Sequence, residues 1–166
     1  QNFELNLNIK SFQPIATFFK KEISLDSGAT LHAKFSSEEH HAQFNLYSPI
    51  FNYSGIKISN LIIDQISNTE SMAISASADR INLTDSTYIN NINIANILSS
   101  DSLRFNVKLS ELDASNNLDL NGVIRFAHQK PAFINFDPST IIINKNKWAL
   151  TQGSELKVSR GKWFLQ

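Results

Sequence analysis

Apolar and polar residues alternate along much of this chain, and that alternation limits its folds more than any other feature. In Phe3-Glu4-Leu5-Asn6-Leu7-Asn8-Ile9 every odd position is apolar and every even one polar. Leu103-Arg104-Phe105-Asn106-Val107-Lys108-Leu109 repeats the rule without exception. Successive side chains of an extended strand point to opposite faces, so such segments build a sheet with one oily side and one wet side. The oily side must be covered. A second sheet, closure into a barrel, or curling into an open trough that meets an apolar guest would each do it, and period two does not choose among them.

Weaker versions of the pattern recur at Leu31, Ala33, Phe35; Ala42, Phe44, Leu46; Ile56, Ile58; Met72, Ile74, Ala76, Ala78; Ile92, Ile94; Leu118, Leu120, Ile124, Phe126; Trp148, Leu150; Leu156, Val158; and Trp163, Leu165. Turn-forming clusters such as Ser36-Ser37-Glu38-Glu39, Ser99-Ser100-Asp101-Ser102, Ala114-Ser115-Asn116-Asn117 and Gln129-Lys130-Pro131 separate them. The spacing predicts roughly a dozen strands in an antiparallel meander, more than the four to six of a simple small sheet. Composition agrees: 20 Ile, 19 Asn and 21 Ser make up over a third of the 166 residues, one strand former and two turn formers.

One segment departs from period two. Ile15, Phe18, Phe19 and Ile23 stand at helical spacings after Pro14, which predicts a short helix near residues 14–23 whose phenylalanines lie on the end of the sheet. Gly28 then precedes the Leu31 strand. Strand patterning starts at Phe3 and persists to Leu165, so the whole of 1–166 reads as a single segment of a larger, repetitive chain.

Several classes are disfavoured. Lys plus Arg equal Asp plus Glu at 15 each, giving net charge 0, the wrong balance for a nucleic-acid binder. With 42% hydrophobic residues the chain is not a disordered tail, and no apolar run approaches the length of a membrane-spanning helix. Cysteine is absent, which removes disulfides, thiolate metal sites and a Cys nucleophile. No G-x-S-x-G elbow, P-loop or G-x-G-x-x-G occurs. The densest ionisable cluster is Glu38-Glu39-His40-His41, with His32 as a possible partner across a hairpin. Adjacent His40 and His41 point to opposite faces of an extended segment, so a polar hairpin tip is expected there rather than zinc. His128 stands alone, and Asp79, Asp85, Asp113, Asp119 and Asp137 are dispersed, with no pair set for acid–base chemistry. Asn52-Tyr53-Ser54 and Asn82-Leu83-Thr84 fit the glycosylation sequon, a match common in a chain this rich in Asn and Ser. No enzyme and no cofactor are expected.

Several stretches together resemble a known family. They are Phe12-Gln13-Pro14-Ile15-Ala16-Thr17-Phe18-Phe19 with the glycine step Asp26-Ser27-Gly28-Ala29; Phe51-Asn52-Tyr53-Ser54-Gly55-Ile56-Lys57-Ile58; Ala78-Asp79-Arg80-Ile81; and Phe133-Ile134-Asn135-Phe136-Asp137-Pro138 followed by Ile141-Ile142-Ile143, Lys147-Trp148-Ala149-Leu150 and Gly161-Lys162-Trp163. The order of these elements is similar to that of the AsmA-like TamB family, particularly its Bacteroidota members. The resemblance implies an all-β fold, a long curled antiparallel sheet or β-taco whose concave face is an apolar open groove. It also implies a place in the periplasm as part of an inner-membrane-anchored protein, phospholipid acyl chains as cargo between the two membranes, and a BamA-family outer-membrane partner. The candidate groove lining is then the one-face sets named above without their alanines, together with Ile141 and Ile143, and a uniform wall free of polar anchors is expected. Two other readings compete with this one. The first is a scaffold that guides outer-membrane β-proteins by strand addition at an open edge, and the second is an adhesin-like domain with a closed core.

Overall fold

The computed structural model describes residues 1–12, 14, 23–111, 115–126, 133–159 and 162–165, with side chains described as far as residue 157. Fourteen strands form one sheet: β1 (Asn2–Ile9), β2 (Ile23–Leu25), β3 (Ala29–Ser36), β4 (His41–Tyr53), β5 (Ile56–Ser67), β6 (Ser71–Asn82), β7 (Tyr88–Ser99), β8 (Ser102–Ser110), β9 (Asn117–Arg125), β10 (Phe133–Phe136), β11 (Ser139–Ile143), β12 (Asn146–Leu150), β13 (Glu155–Ser159) and β14 (Lys162–Leu165). Every pairing is antiparallel, and the strands run β1-β3-β4-β5-β6-β7-β8-β9-β10-β13-β14. The first and last strands of that path do not pair, so the sheet is not closed. The expected helix over 14–23 falls on residues 15–22, outside the described ones. At its predicted end Ile23 instead begins β2, which pairs with β4 through Ile23 and Tyr53.

Short polar turns set the meander. β4 and β5 are joined by Ser54 (φ 47°) and Gly55 (φ 85°), the two consecutive left-handed residues of a turn whose twist suits a two-residue hairpin. Asn144 (φ 49°) and Lys145 (φ 66°) repeat the device between β11 and β12. Between β5 and β6 the Asn68 side-chain oxygen accepts hydrogen bonds from the Glu70 and Ser71 backbone N–H groups, at 2.9 and 3.0 Å.

The described residues form a single layer. A compact monomer of 18.7 kDa exposes about 8,300 Å² of surface. This chain exposes 11441 Å², roughly 3,000 Å² more. Among the described residues only Ala29, Leu61 and Ala78 are buried hydrophobics. Two interlocked sheets would bury many more, so the closed-core alternative does not fit. The buried residues also lie together. Pairing aligns Ala29, Ser48, Leu61 and Ala78 across β3 to β6, while Ile62 on the opposite face is 38% exposed. A flat sheet would expose both faces alike. Burial of one face along this line, with its small Ala and Ser side chains, is the signature of a sheet curled about that row.

Beside the buried row runs a crease. Pro49, Asn60, Asp79 and Asn91 are aligned on successive strands and interrupt the regular pairing, and Asn60 (φ 51°) and Asn91 (φ 47°) are left-handed. The alternation of burial shifts there by one residue: Ile58 and Leu61 are both sheltered, as are Ile89 and Ile92, with an exposed asparagine between. The pairing register is the same on both sides, since Ser48 pairs with Leu61 and Ile50 with Ser59, so the left-handed residues re-aim the side chains without inserting a residue. Side chains fix the line, because Asn60 Nδ2 donates to Asp79 Oδ2 at 2.7 Å and Asn91 Nδ2 donates to the Ser110 carbonyl at 3.1 Å.

A second irregularity lies between β10 and β11, which share β9 as a neighbour. Phe136 pairs with Gly122 and Thr140 with Asp119, so one extra residue is accommodated at Asp137–Ser139. Buried Ser139 stabilises it. Its Oγ accepts from the Asn121 N–H at 2.9 Å and donates to the Asp137 carbonyl at 2.8 Å.

Candidate functional site: an uncharged apolar wall

Cross-strand pairing collects the alternate apolar residues into rows on one face. The first row runs through Phe3, Phe35, Ala42, Ser67, Met72, Leu98, Leu103, Ile124, Ile134 and Leu156. The second holds Leu5, Ala33, Phe44, Gln65, Ile74, Asn96, Phe105, Gly122 and Phe136, and the third Leu7, Leu31, Leu46, Ile63, Ala76, Ile94, Val107 and Leu120. A fourth contains Ile9 and the buried line, then Ile92, Leu109, Leu118, Ile141 and Trp148. Beyond the crease the series resumes with Phe51, Ile58, Ile81 and Ile89, and Ile56 follows opposite Tyr53.

No Asp, Glu, Lys, Arg or His stands in any of these rows. The charged residues of the same strands stand on the other face, where they pair with one another. His32 Nε2 lies 3.3 Å from Glu4 Oε1, Lys108 Nζ 3.8 Å from Asp119, and Arg104 3.5 Å from Asp137. The Asn6 amide and then His32 hydrogen-bond the Glu4 carboxylate and hold its pKa below the usual carboxylate value. These exposed pairs add little stability. They stand on the face opposite the described rows, from which charge is absent.

Along the first row, from Phe3 on β1 to Leu156 on β13, nine strand spacings of about 4.8 Å give the described wall a length of about 43 Å. Across them, the first four rows span about 20 Å. The wall is best packed where Phe105 covers Gly122. A Cβ at Gly122 would come 2.7 Å from the Phe105 ring and 2.6 Å from the Asn135 carbonyl oxygen. Phe105 also meets Phe136 edge to face, with centroids 6.2 Å apart. At the β1 end the wall is open: Phe3, Leu5, Leu7 and Phe35 are 57, 39, 41 and 38% exposed. A hollow of about 200 Å³ on the same face is lined by Leu109, Leu118, Ile141 and Ile143.

The expected lining residues with described side chains fall on this one face, with Phe126, Ile143 and Trp148 at its exposed margin and Leu150 beside the bulge, opposite Ser139. Val158 is placed opposite Trp163 and Leu165 opposite Leu156 by backbone register; their side chains lie outside the described ones. Leu61, Ile63, Leu98, Ile134, Phe136, Phe51, Ile81 and Ile89 join the wall although sequence alternation did not assign them to it. Leu61-Ile62-Ile63 reads equally well in either phase, and only the register with Leu46 and Ala76 settles it.

Three expectations require correction. The wall is not uniformly apolar, because Gln65 and Asn96 face inward on either side of Ile74. The outer face is not uniformly polar: Ile66 and Ile97 are 50 and 47% exposed. His32 does not face His40 and His41, since it pairs with Asn45 partway along β3 while His40 occupies the turn with φ 49°. Among the described residues no group of acidic, His or Cys side chains could hold a metal ion.

No family model, curated protein or solved structure matches this chain.

Proposed function

We propose that this chain is one segment of a periplasm-spanning, TamB-like β-groove that shields phospholipid acyl chains during their passage between inner and outer membranes. The parent protein would be anchored in the inner membrane and would work with a BamA-family partner in outer-membrane biogenesis. The observation that carries this reading is an uncharged apolar wall about 43 Å long on a sheet against which no second layer packs among the described residues. A 16-carbon tail drawn bare into water costs on the order of 13 kcal/mol, at about 0.8 kcal/mol per CH₂. Phe, Ile, Leu and Val side chains in the rows replace that water with hydrocarbon, while head groups remain wet at the open side. The reading needs no catalytic residue. Extraction and mass spectrometry of lipid from the purified chain tests it. Phospholipid in proportion to protein supports the reading, and a lipid-free preparation that also fails to take up added phospholipid refutes it.

A second reading is favoured by one edge. Among the described residues β1 pairs only with β3, at one end of the strand order. Such an edge suits strand addition by an outer-membrane β-protein. That function would depend on backbone pairing and would tolerate charge in the rows, which separates the two experimentally.

A further inference from the structure

Four polar side chains stand in the apolar rows and a fifth, Ser139, at the bulge beside them, and they fall into two kinds. Ser48, Ser67 and Ser139 have their hydroxyls tied to their own sheet: Ser48 Oγ donates to the Ile50 carbonyl at 2.8 Å, Ser67 Oγ to the Ala42 carbonyl at 3.5 Å, and Ser139 Oγ to the Asp137 carbonyl at 2.8 Å. Gln65 and Asn96 differ. Neither side-chain amide is tied to the sheet by a hydrogen bond among the described residues, and both stand on the apolar face. The two amides share the second row and straddle Ile74, two strand spacings or about 10 Å apart.

A hydrocarbon guest lying over that row would strip water from both amides and give nothing back, which opposes binding. A guest carrying neutral acceptors at that point would compensate both. No cation stands in the row to recognise a phosphate, so the chemistry selects uncharged carbonyl oxygen. The geometry points to Gln65 and Asn96 as a recognition site for the ester carbonyls of a diacyl glycerolipid, with the tails on the apolar rows to either side. This inference rests on the acyl-shielding reading above and adds a fixed stopping point to it. The guest would halt where its glycerol esters meet the two amides, instead of sliding along a featureless wall.

The test compares dipalmitoyl phosphatidylglycerol with its dihexadecyl diether analogue, which keeps the tails and head group but lacks both carbonyls. Binding of each to the 166-residue chain is measured by titration with extraction and mass spectrometry. The wild-type chain is expected to prefer the diester about tenfold, the effect of two neutral hydrogen bonds. The double variant Gln65→Leu/Asn96→Leu is expected to bind both lipids alike, with the diether bound at least as well as by wild type. Equal binding of the two lipids by the wild-type chain overturns the ester site and leaves the shielding reading standing. Failure of the wild-type chain to bind either lipid overturns both. The wild-type comparison needs no variant, so a misfolded mutant does not blunt it.

Discussion

Val107 stands in the third row between Ile94 and Leu120 and is only half-buried, so it tests the wall without carrying the fold. In Val107→Asp the lining loses its hydrocarbon over one strand spacing, a stretch that covers roughly four methylenes of a tail. At about 0.8 kcal/mol each, about 3 kcal/mol of shielding is lost, which corresponds to roughly a hundredfold weaker lipid retention. Loss of a half-buried valine lowers stability by only about 1 kcal/mol, so the variant stays folded. The control is Ile97→Asp, placed opposite Arg104 on the other face and 47% exposed, which should leave retention unchanged. Lipid per protein is read by mass spectrometry and stability by guanidinium titration. Full retention by a folded Val107→Asp chain would refute the reasoning, and so would equal loss in both variants. Strand addition at β1 predicts indifference to either substitution.

Three further predictions concern the frame that holds the wall. Gly122→Ala drives a Cβ to 2.6 Å from the Asn135 carbonyl and should lower the free energy of unfolding by about 1–3 kcal/mol, and an unchanged unfolding midpoint would contradict the packing of Phe105 over Gly122. At Asn60, where φ is 51°, Val should be less stable than Gly by about 1–2 kcal/mol, because a β-branched side chain resists the left-handed region; equal stability would remove the crease as a strained, side-chain-fixed line. The Glu4 carboxylate titrates below its ordinary pKa, so its contribution to folding is present above that pKa and fades as pH falls through the folded value. An NMR titration of His32→Ala should find the Glu4 pKa moved upward, and no movement would deny the His32 hydrogen bond a part in it.

Much of the wall can be read from the sequence because alternation is strict where strands are regular. Phe3 to Ile9 pairs residue for residue with Ala29 to Phe35, and Leu103 to Leu109 with Leu118 to Ile124, so phase in sequence is face in space. It fails where the backbone leaves the extended region. Nothing in Ile58-Ser59-Asn60-Leu61 announces that Asn60 turns left-handed and returns Leu61 to the face of Ile58, since asparagine is as common in ordinary loops. Nothing in Asp137-Pro138-Ser139 announces the bulge it forms between two strands sharing β9. Gln65 and Asn96 obey the alternation in position but break it in chemistry, and polarity at an inward position is where a sequence pattern and a binding requirement diverge. Openness was not legible at all: an apolar face looks the same whether a second sheet or a guest covers it, and only the surface area distinguishes the two.

The most direct test places a photo-crosslinking side chain at Ile94, in the third row, and at its neighbour Asn93, which pairs with Lys108 on the opposite face. With dipalmitoyl phospholipid present, irradiation should give lipid adducts from position 94 and none from position 93. Adducts at neither position, or equally at both, would contradict a wall that receives acyl chains.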